Sequence, residues 1–321
     1  MSLEREVSMI ARTSAILFLA ASAFAGVDPV LLNLVMPDAK VLTGIQVDQS
    51  VASPFGQYLL SQMQSSDAGF LQFVAATGFD PTHDLTQILA ATAANPNDVV
   101  LLGRGSFLVP QITAAVTANG GTVTSYGGCS VLTGPQAKSS IGAIVFLNTT
   151  TTAIGSLPAV EAAIDRWNAH ATYTGNLATS AQTVSGANSA WFTTQTPLSD
   201  FLSGKLPGSA SGLSQSSLFQ SVTAASGGIN FGVNSIVVTA DALTTSPQNA
   251  QALVDVLKFL VSMVSTNNPS QPVTTLADAA TFTANGATTH LSLSISEQQA
   301  EQLFMTSATP NARPARKKPA Q

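Results

Sequence analysis

Cysteine is almost absent: Cys129 stands alone in 321 residues, so no intramolecular disulfide can form and stability has to come from packing. Charge is scarce too. Asp, Glu, Lys and Arg make up 9% of the chain, too little for a basic surface that captures nucleic acid through its phosphates. The formal net charge of -5 and a pI near 5.0 agree. Arg313, Arg316, Lys317 and Lys318 crowd into the last residues, so the body is more acidic than the total implies and would suit a basic partner better. Long hydrophobic runs are also missing. Hydrophobic residues reach 45% and mean hydropathy is +0.28, yet no stretch approaches the roughly 20 apolar residues of a spanning helix. A large core is affordable, and the surface must be polar mainly through Ser, Thr, Asn and Gln.

What is present begins at the N-terminus. From Met9 onward, Arg12 supplies a positive n-region, Ala15 to Ala21 an apolar h-region, and Ala23-Phe24-Ala25 a small-x-small cleavage site. Residues 1–25 are therefore expected to be a signal peptide cut before Gly26, giving a periplasmic or extracellular product. The apolar run is short for a membrane span, and glycine rather than cysteine follows the site, which speaks against a lipid anchor. The plainer alternative is a buried N-terminal helix.

The hydrophobic period then alternates between strand and helix. Strand patterns cover Val41–Asp48, Leu85–Ala93, Val99–Ser106, Thr122–Tyr126, Cys129–Thr133 and Ile141–Leu147. Helices open at Pro54, run over Phe70–Thr77, start at Pro110 and cover Leu157 to Trp167. A second series follows: strand Ala190–Thr196, a helical pair across Pro197–Ala225, strands near Ile229–Val233 and Ser235–Leu243, a helix over Pro247–Ser265, and a hairpin of Ala280–Ala284 with Thr288–Ile295. Asn285-Gly286 suggests a type I′ turn there. The mixture of hairpins and helices predicts an α+β fold of two tandem, duplicated lobes, 26–172 and 173–305, with antiparallel sheets covered by helices on one face. The joint is expected near Thr172–Asn188, and 306–321 reads as a disordered basic, Pro-rich tail.

Candidate chemistry is sparse. Asp80-Pro81-Thr82-His83-Asp84 gathers two carboxylates and an imidazole, a set that could hold a divalent cation. Asp80, just past Gly78 and before a proline, suits turn and cap geometry better, and no metal or cofactor is expected. Gly103-Arg104-Gly105 follows a strand as a phosphate loop would, but lacks the third glycine and the Gly-Lys-Ser/Thr ending. Arg104 is still the best single residue for an anion contact. Glu161 and Asp165, four apart beside Arg166, read as solvated charge. His170 and His290 are isolated in sequence, with His290 expected to face solvent. Cys129 reads as a small buried hydrophobe. No G-x-S-x-G elbow exists, and Gly208-Ser209-Ala210-Ser211-Gly212 puts alanine where the nucleophile would stand.

The stretch Met36-Pro37-Asp38-Ala39-Lys40-Val41-Leu42-Thr43-Gly44, then Ser53-Pro54-Phe55-Gly56 and Gly78-Phe79-Asp80-Pro81, resembles uncharacterised exported proteins of acidobacterial soil bacteria. That resemblance implies export and no particular activity. The leading expectation is a non-enzymatic envelope or secreted protein binding a ligand or protein partner between its lobes, through Arg104, Asp80, His83 and Asp84. The alternative is a secreted or periplasmic hydrolase. No nucleic acid is expected on the folded part, and no transmembrane segment after signal cleavage.

Overall fold

The computed structural model describes residues 26–58, 74–75, 77–95, 97–134, 142–197, 216–267 and 271–308. The signal segment 1–25, most of the helix expected over Phe70–Thr77, the Gly208–Gly212 run and the tail beyond Ala308 lie outside these residues.

Twelve strands form one antiparallel sheet in the order β11-β12-β10-β9-β8-β1-β2-β3-β7-β6-β5-β4. They are β1 Val41–Gln46, β2 Leu85–Thr92, β3 Val99–Gly105, β4 Thr122–Tyr126, β5 Cys129–Thr133, β6 Ala143–Asn148, β7 Thr151–Gly155, β8 Ala190–Thr194, β9 Val222–Phe231, β10 Ser235–Thr244, β11 Ala280–Asn285 and β12 Thr288–Ser296. The α+β class is as expected from the mixed pattern. The separate sheets are not: β1 pairs with β8 in register from Val41↔Thr194 to Ile45↔Ala190, so the halves share one continuous sheet.

Side-chain alternation defines the two faces. The row Leu89–Gly44–Trp191–Gly228–Thr239 crosses five strands on what we call face A. Gly44 is required there. A Cβ at this position would stand 2.4 Å from Cε2 of the buried Trp191 indole, which lies across it. Over the first half face A is covered by α1 (Pro29–Leu32) and α5 (Leu157–Asn168), and at the centre, over β8, β9 and β1, by α6 (Asn176–Ala187). Leu31, Val160, Ile164 and Ala181 pack there on Leu42, Leu89, Val100 and Val145 in the main core. Ser156 caps α5 by accepting from the N–H of Ala159, and Pro158 sits in its first turn.

On the opposite face, B, the helix expected from Pro110 is α4, Val109–Ala118, which buries Ile112. Face B of the second half carries α8 (Pro247–Asn267), α9 (Gln271–Ala279) and α10 (Glu297–Ala308). Phe55, Ile236, Ile295 and Ala300 cluster beneath them, and Leu253 meets Phe219 and Val222. Helices on one face is thus corrected to helices on both in each half: α1 and α5 on A and α4 on B in the first, α6 on A and α8, α9 and α10 on B in the second. Among the described residues, no helix covers face A of the second half's outer strands, β10, β12 and β11.

Other departures are local. β1 stops at Gln46, and Val47–Ala52 forms α2. The supposed joint Thr172–Asn188 is largely α6, whose Leu177, Ala178, Ala181 and Val184 are buried. Of the helical pair expected across Pro197–Ala225, the described part is one turn, α7 Ser217–Gln220, and Val222 already begins β9. The closing hairpin turns on Gly286 and Ala287, since Asn285 pairs with Thr288. Gly286 has φ 55° and Ala287 no positive φ, the type II′ pattern rather than I′. Finally, α10 runs on through Ala308, past the expected start of the tail.

Candidate functional site

The Asp80 cluster is a helix cap. Asp80 precedes α3, Pro81–Asp84, and its Oδ1 accepts from the Thr82 N–H at 2.9 Å and the Thr82 hydroxyl at 2.7 Å. Its Oδ2 lies 3.0 Å from His83 Nδ1, while Asp84 Oδ2 accepts from the Asp80 N–H at 2.7 Å. Burial pulls the Asp80 carboxyl upward, but the bonds from Thr82 and His83 outweigh it and hold it below the usual carboxylate range. The carboxylates face their own turn rather than a shared ligand. His83 is 81% exposed.

Arg104 belongs to the other face. Its Nε pairs with Asp28 Oδ2 at 3.0 Å, and Nη1 donates to the hydroxyls of Thr150 at 3.0 Å and Thr151 at 2.6 Å. The four residues singled out in sequence therefore form two separate groups, and Arg104 is an internal clamp on the segment around Asp28. The flanking glycines serve packing: a Cβ on Gly105 would stand 2.0 Å from the Asp84 carbonyl oxygen, so α3 can lie against the end of β3 only if that position is bare.

The remaining candidates are also committed to structure. Asp165 accepts from the Tyr126 hydroxyl at 3.1 Å, a bond that raises the Tyr126 pKa. Arg166 turns its Nε to the Leu34 carbonyl at 2.9 Å; burial lowers its pKa against the pull of Asp165 and Asp38. His170 takes φ 49° immediately after α5, the left-handed position that ends a helix. Cys129 packs beside the main core, where burial pushes its thiol pKa up.

Two of the concavities among the described residues bear on function. On face A, between α6 and the uncovered outer strands of the second half, lies an open depression of about 1030 Å³ lined by Ser180, Thr193, Ser226, Asp241, Thr283 and His290, among others. His290 Nδ1 is 2.7 Å from Asp241 Oδ1. Because a carboxylate only accepts, Nδ1 carries the proton and Nε2 is left for other partners. Thr283, His290, Asp241, Ser226 and Thr193 stand side by side in one row. A hydroxyl, an imidazole and a carboxylate are the components of a nucleophilic set, but catalysis also needs N–H donors aimed at a developing oxyanion. The backbone here is taken up in the strand ladder. Sequence reading missed this pair because its partners are 49 residues apart. The only signal was the place of His290 on an alternating strand.

The second concavity is a cavity of about 230 Å³ on face B of the first half, lined by Phe79, Ile88, Phe107, Ile112, Phe146 and Ile154 together with Leu85, Gly103 and Thr152. Phe79 stacks on Phe107 with centroids 5.8 Å apart, and Phe107 meets Phe146 at 5.3 Å. Thr152 gives its hydroxyl to the Val145 carbonyl at 2.9 Å. Its methyl faces Gly103, where an added Cβ would come within 2.8 Å. No titratable side chain is among the described lining residues. The Asp80–Asp84 turn adjoins the cavity, since Phe79 and Leu85 on either side of it are both in the lining. Nothing in the sequence pointed to this cavity.

No family model and no curated protein matches the sequence. Among solved structures the chain is similar to TP0453 in three crystal forms. Form I gives a TM-score of 0.52 at 14% identity, covering 89% of this chain and 99% of that one. Form III gives 0.54 at 13%, covering 88% and 99%, and form IV gives 0.53 at 13%, covering 89% and 99%. What the two proteins share at that identity is the α+β fold, over nearly the whole of both chains.

Proposed function

We propose that this chain is an exported, non-enzymatic binding protein of the envelope or the medium, and that it takes an apolar ligand in the face-B cavity. The observation that carries this reading is the lining: aromatic and aliphatic side chains line about 230 Å³ with no titratable group among the described residues. Such a surface can hold an apolar molecule by burial but offers nothing to move a proton or stabilise a charge. An apolar cavity of about 150 Å³ already stays dry and binds benzene or xenon. The hydrolase alternative draws little support, since Asp80, His83 and Asp84 bond within their own turn.

The cavity is tested with xenon as an apolar probe, followed by ¹²⁹Xe NMR on the whole protein. Wild type should show saturable binding at one site. Ile154→Phe, which fills the space, should weaken it at least tenfold while leaving the circular dichroism unchanged. Absence of saturable binding, or equal binding by the filled variant, would overturn the reading.

Export rests on the charged, apolar and small-x-small succession before Gly26. The fold sets a limit on the cut. Val27 is buried, and its N–H donates to Ser185 Oγ at 2.7 Å, so a site beyond Gly26 would remove part of the core. Mass spectrometry of protein from the native host should find a mature terminus at Gly26. An intact Met1 or Met9 terminus in the cytoplasm would refute export.

A further inference from the structure

We propose that the free edge of β4 pairs with β4 of a second copy of this chain, antiparallel about a two-fold axis at Thr124, so that two sheets join into one. The hairpin turn fixes which backbone groups face outward. Tyr126 pairs with Cys129 across Gly127-Gly128, and both glycines have positive φ, 53° and 82°, the type I′ loop that makes its flanking residues a hydrogen-bonded pair. Such pairs alternate along an antiparallel ladder. Thr122, Thr124 and Tyr126 therefore bond to β5, while the N–H and C=O of Val123 and Ser125 point away from the sheet. Among the described residues no other group bonds to these four. A row of this kind is a template for another strand.

The usual protections of an edge are missing here. β4 holds no charge and no proline, and its register with β5 runs without a bulge. No charged residue occurs between Arg104 and Lys138, so neither α4 nor the hairpin sets a like charge against a second copy. α4 packs beside β4 but leaves Val123 45% exposed. The opposite edge of the sheet is guarded: α8 packs along β11, and Lys258 and Asp278 stand beside it.

A second copy is the occupant because the strand complements itself. With Thr124 opposite Thr124, Val123 of each copy faces Ser125 of the other, and four N–H···O=C bonds form. Sliding the register by two residues one way would require the Gly121 N–H, which already donates to the Val116 carbonyl at 2.9 Å; the other way would run the pairing into the Gly127 turn. The side chains agree with this register. On face A, Thr124 meets Thr124 and Thr122 meets Tyr126, neutral pairs that favour a sheet. On face B, each exposed Val123 is covered by Ser125 of the other copy. A two-fold contact of one edge with itself closes at the dimer. Five residues from each copy bury less than the roughly 800 Å² per partner of a standard interface, so the dimer is reversible, with a Kd of roughly 10–100 μM.

The test is sedimentation of the purified chain from about 5 to about 500 μM, a range that brackets this Kd. A monomer–dimer equilibrium is expected. Val123→Pro removes an outward N–H without touching the β5 ladder, and Ser125→Lys puts a charge on the edge; each should weaken the dimer at least tenfold with unchanged circular dichroism. Opposed Thr124 residues form a non-hydrogen-bonded pair with Cα atoms about 4.5 Å apart, within disulfide reach. In a Cys129→Ala background, Thr124→Cys should therefore cross-link two chains on oxidation, and Ser125→Cys, which faces Val123, should not. A wild type that stays monomeric throughout, a dimer that survives both edge variants, or cross-linking by Ser125→Cys in place of Thr124→Cys would overturn the proposal. Growth into longer polymers would overturn it as well, because it requires two different surfaces to meet head to tail.

Discussion

Asp80 shows how one residue that looks like chemistry can be wholly used by local structure. Four bonds converge on its turn: Thr82 supplies a backbone and a hydroxyl donor, His83 an imidazole, and Asp84 receives the Asp80 N–H. Asp80→Ala removes an N-cap and should cost about 1 kcal/mol, read as a lower urea midpoint with unchanged slope. The pH dependence has a definite sign. Because the folded carboxyl sits below its ordinary range, its contribution is present above the unfolded pKa, near 4, and is lost as pH falls through the folded value. Asp80→Ala should therefore narrow its deficit against wild type as pH drops below about 4. A deficit that stays constant, or grows, down to pH 2.5 would show that the cap does not hold the carboxylate. Asp80 is partly exposed, so salt should shrink the charge-dependent part of the effect.

At the scale of elements, those with complete local signals were legible in the sequence. Helix α5 has Ser156 and Pro158 at its start and an apolar stripe through Val160, Ala163 and Ile164. Helix α4 has Pro110, and the hairpin of β11 and β12 has a glycine in its loop. Helix α6 was illegible because nothing marks its ends: its N-cap is Gly175, without a side-chain bond, and Ser, Thr and Ala fill most of its length. Its place in the fold is set by Leu177 and Val184 reaching a core that the other elements create. Strand β7 was missed for a related reason. Thr151 and Thr152 read as polar, yet both are buried, one receiving Arg104 and the other bonding Val145. The candidate sites are still less local. The His290–Asp241 pair needs the register between two hairpins, and the cavity needs Phe79, Phe107 and Phe146 from three separate segments. No window of sequence contains either.

The whole molecule raises the question of why the outer strands of the second half bare a face that the first half covers. The sheet order offers an answer. Outward from the central β1–β8 pair run β1-β2-β3-β7-β6 on one side and β8-β9-β10-β12-β11 on the other, so each half is a three-strand meander with its last hairpin folded back beside the third strand. Strands β4 and β5 extend the first half alone. A duplicated unit would give this match through a two-fold axis normal to the sheet between β1 and β8, because such an axis reverses strand direction and keeps each face on its own side. The helices obey it in part. α1 and α6, each before a first strand, share face A, and α4 and α8, each after a third strand, share face B. The closing helices do not: α5 packs on face A, whereas Ala300 of α10 lies with Ile236 and Ile295 on face B. Without a counterpart of α5, face A of the second half beyond α6 meets water, and its row there accordingly carries Thr283, His290, Asp241 and Ser226 rather than the Leu and Val of the first half. Duplication therefore makes a definite geometric prediction for an experimental structure. A single rotation near 180° should bring β1, β2, β3, β7 and β6 onto β8, β9, β10, β12 and β11, with α4 falling on α8 and α5 on nothing. Should the best superposition pair other strands, or require a rotation far from two-fold, the halves would be alike only in the economy of antiparallel meanders, and the polar depression would need a cause other than the loss of one helix from face A.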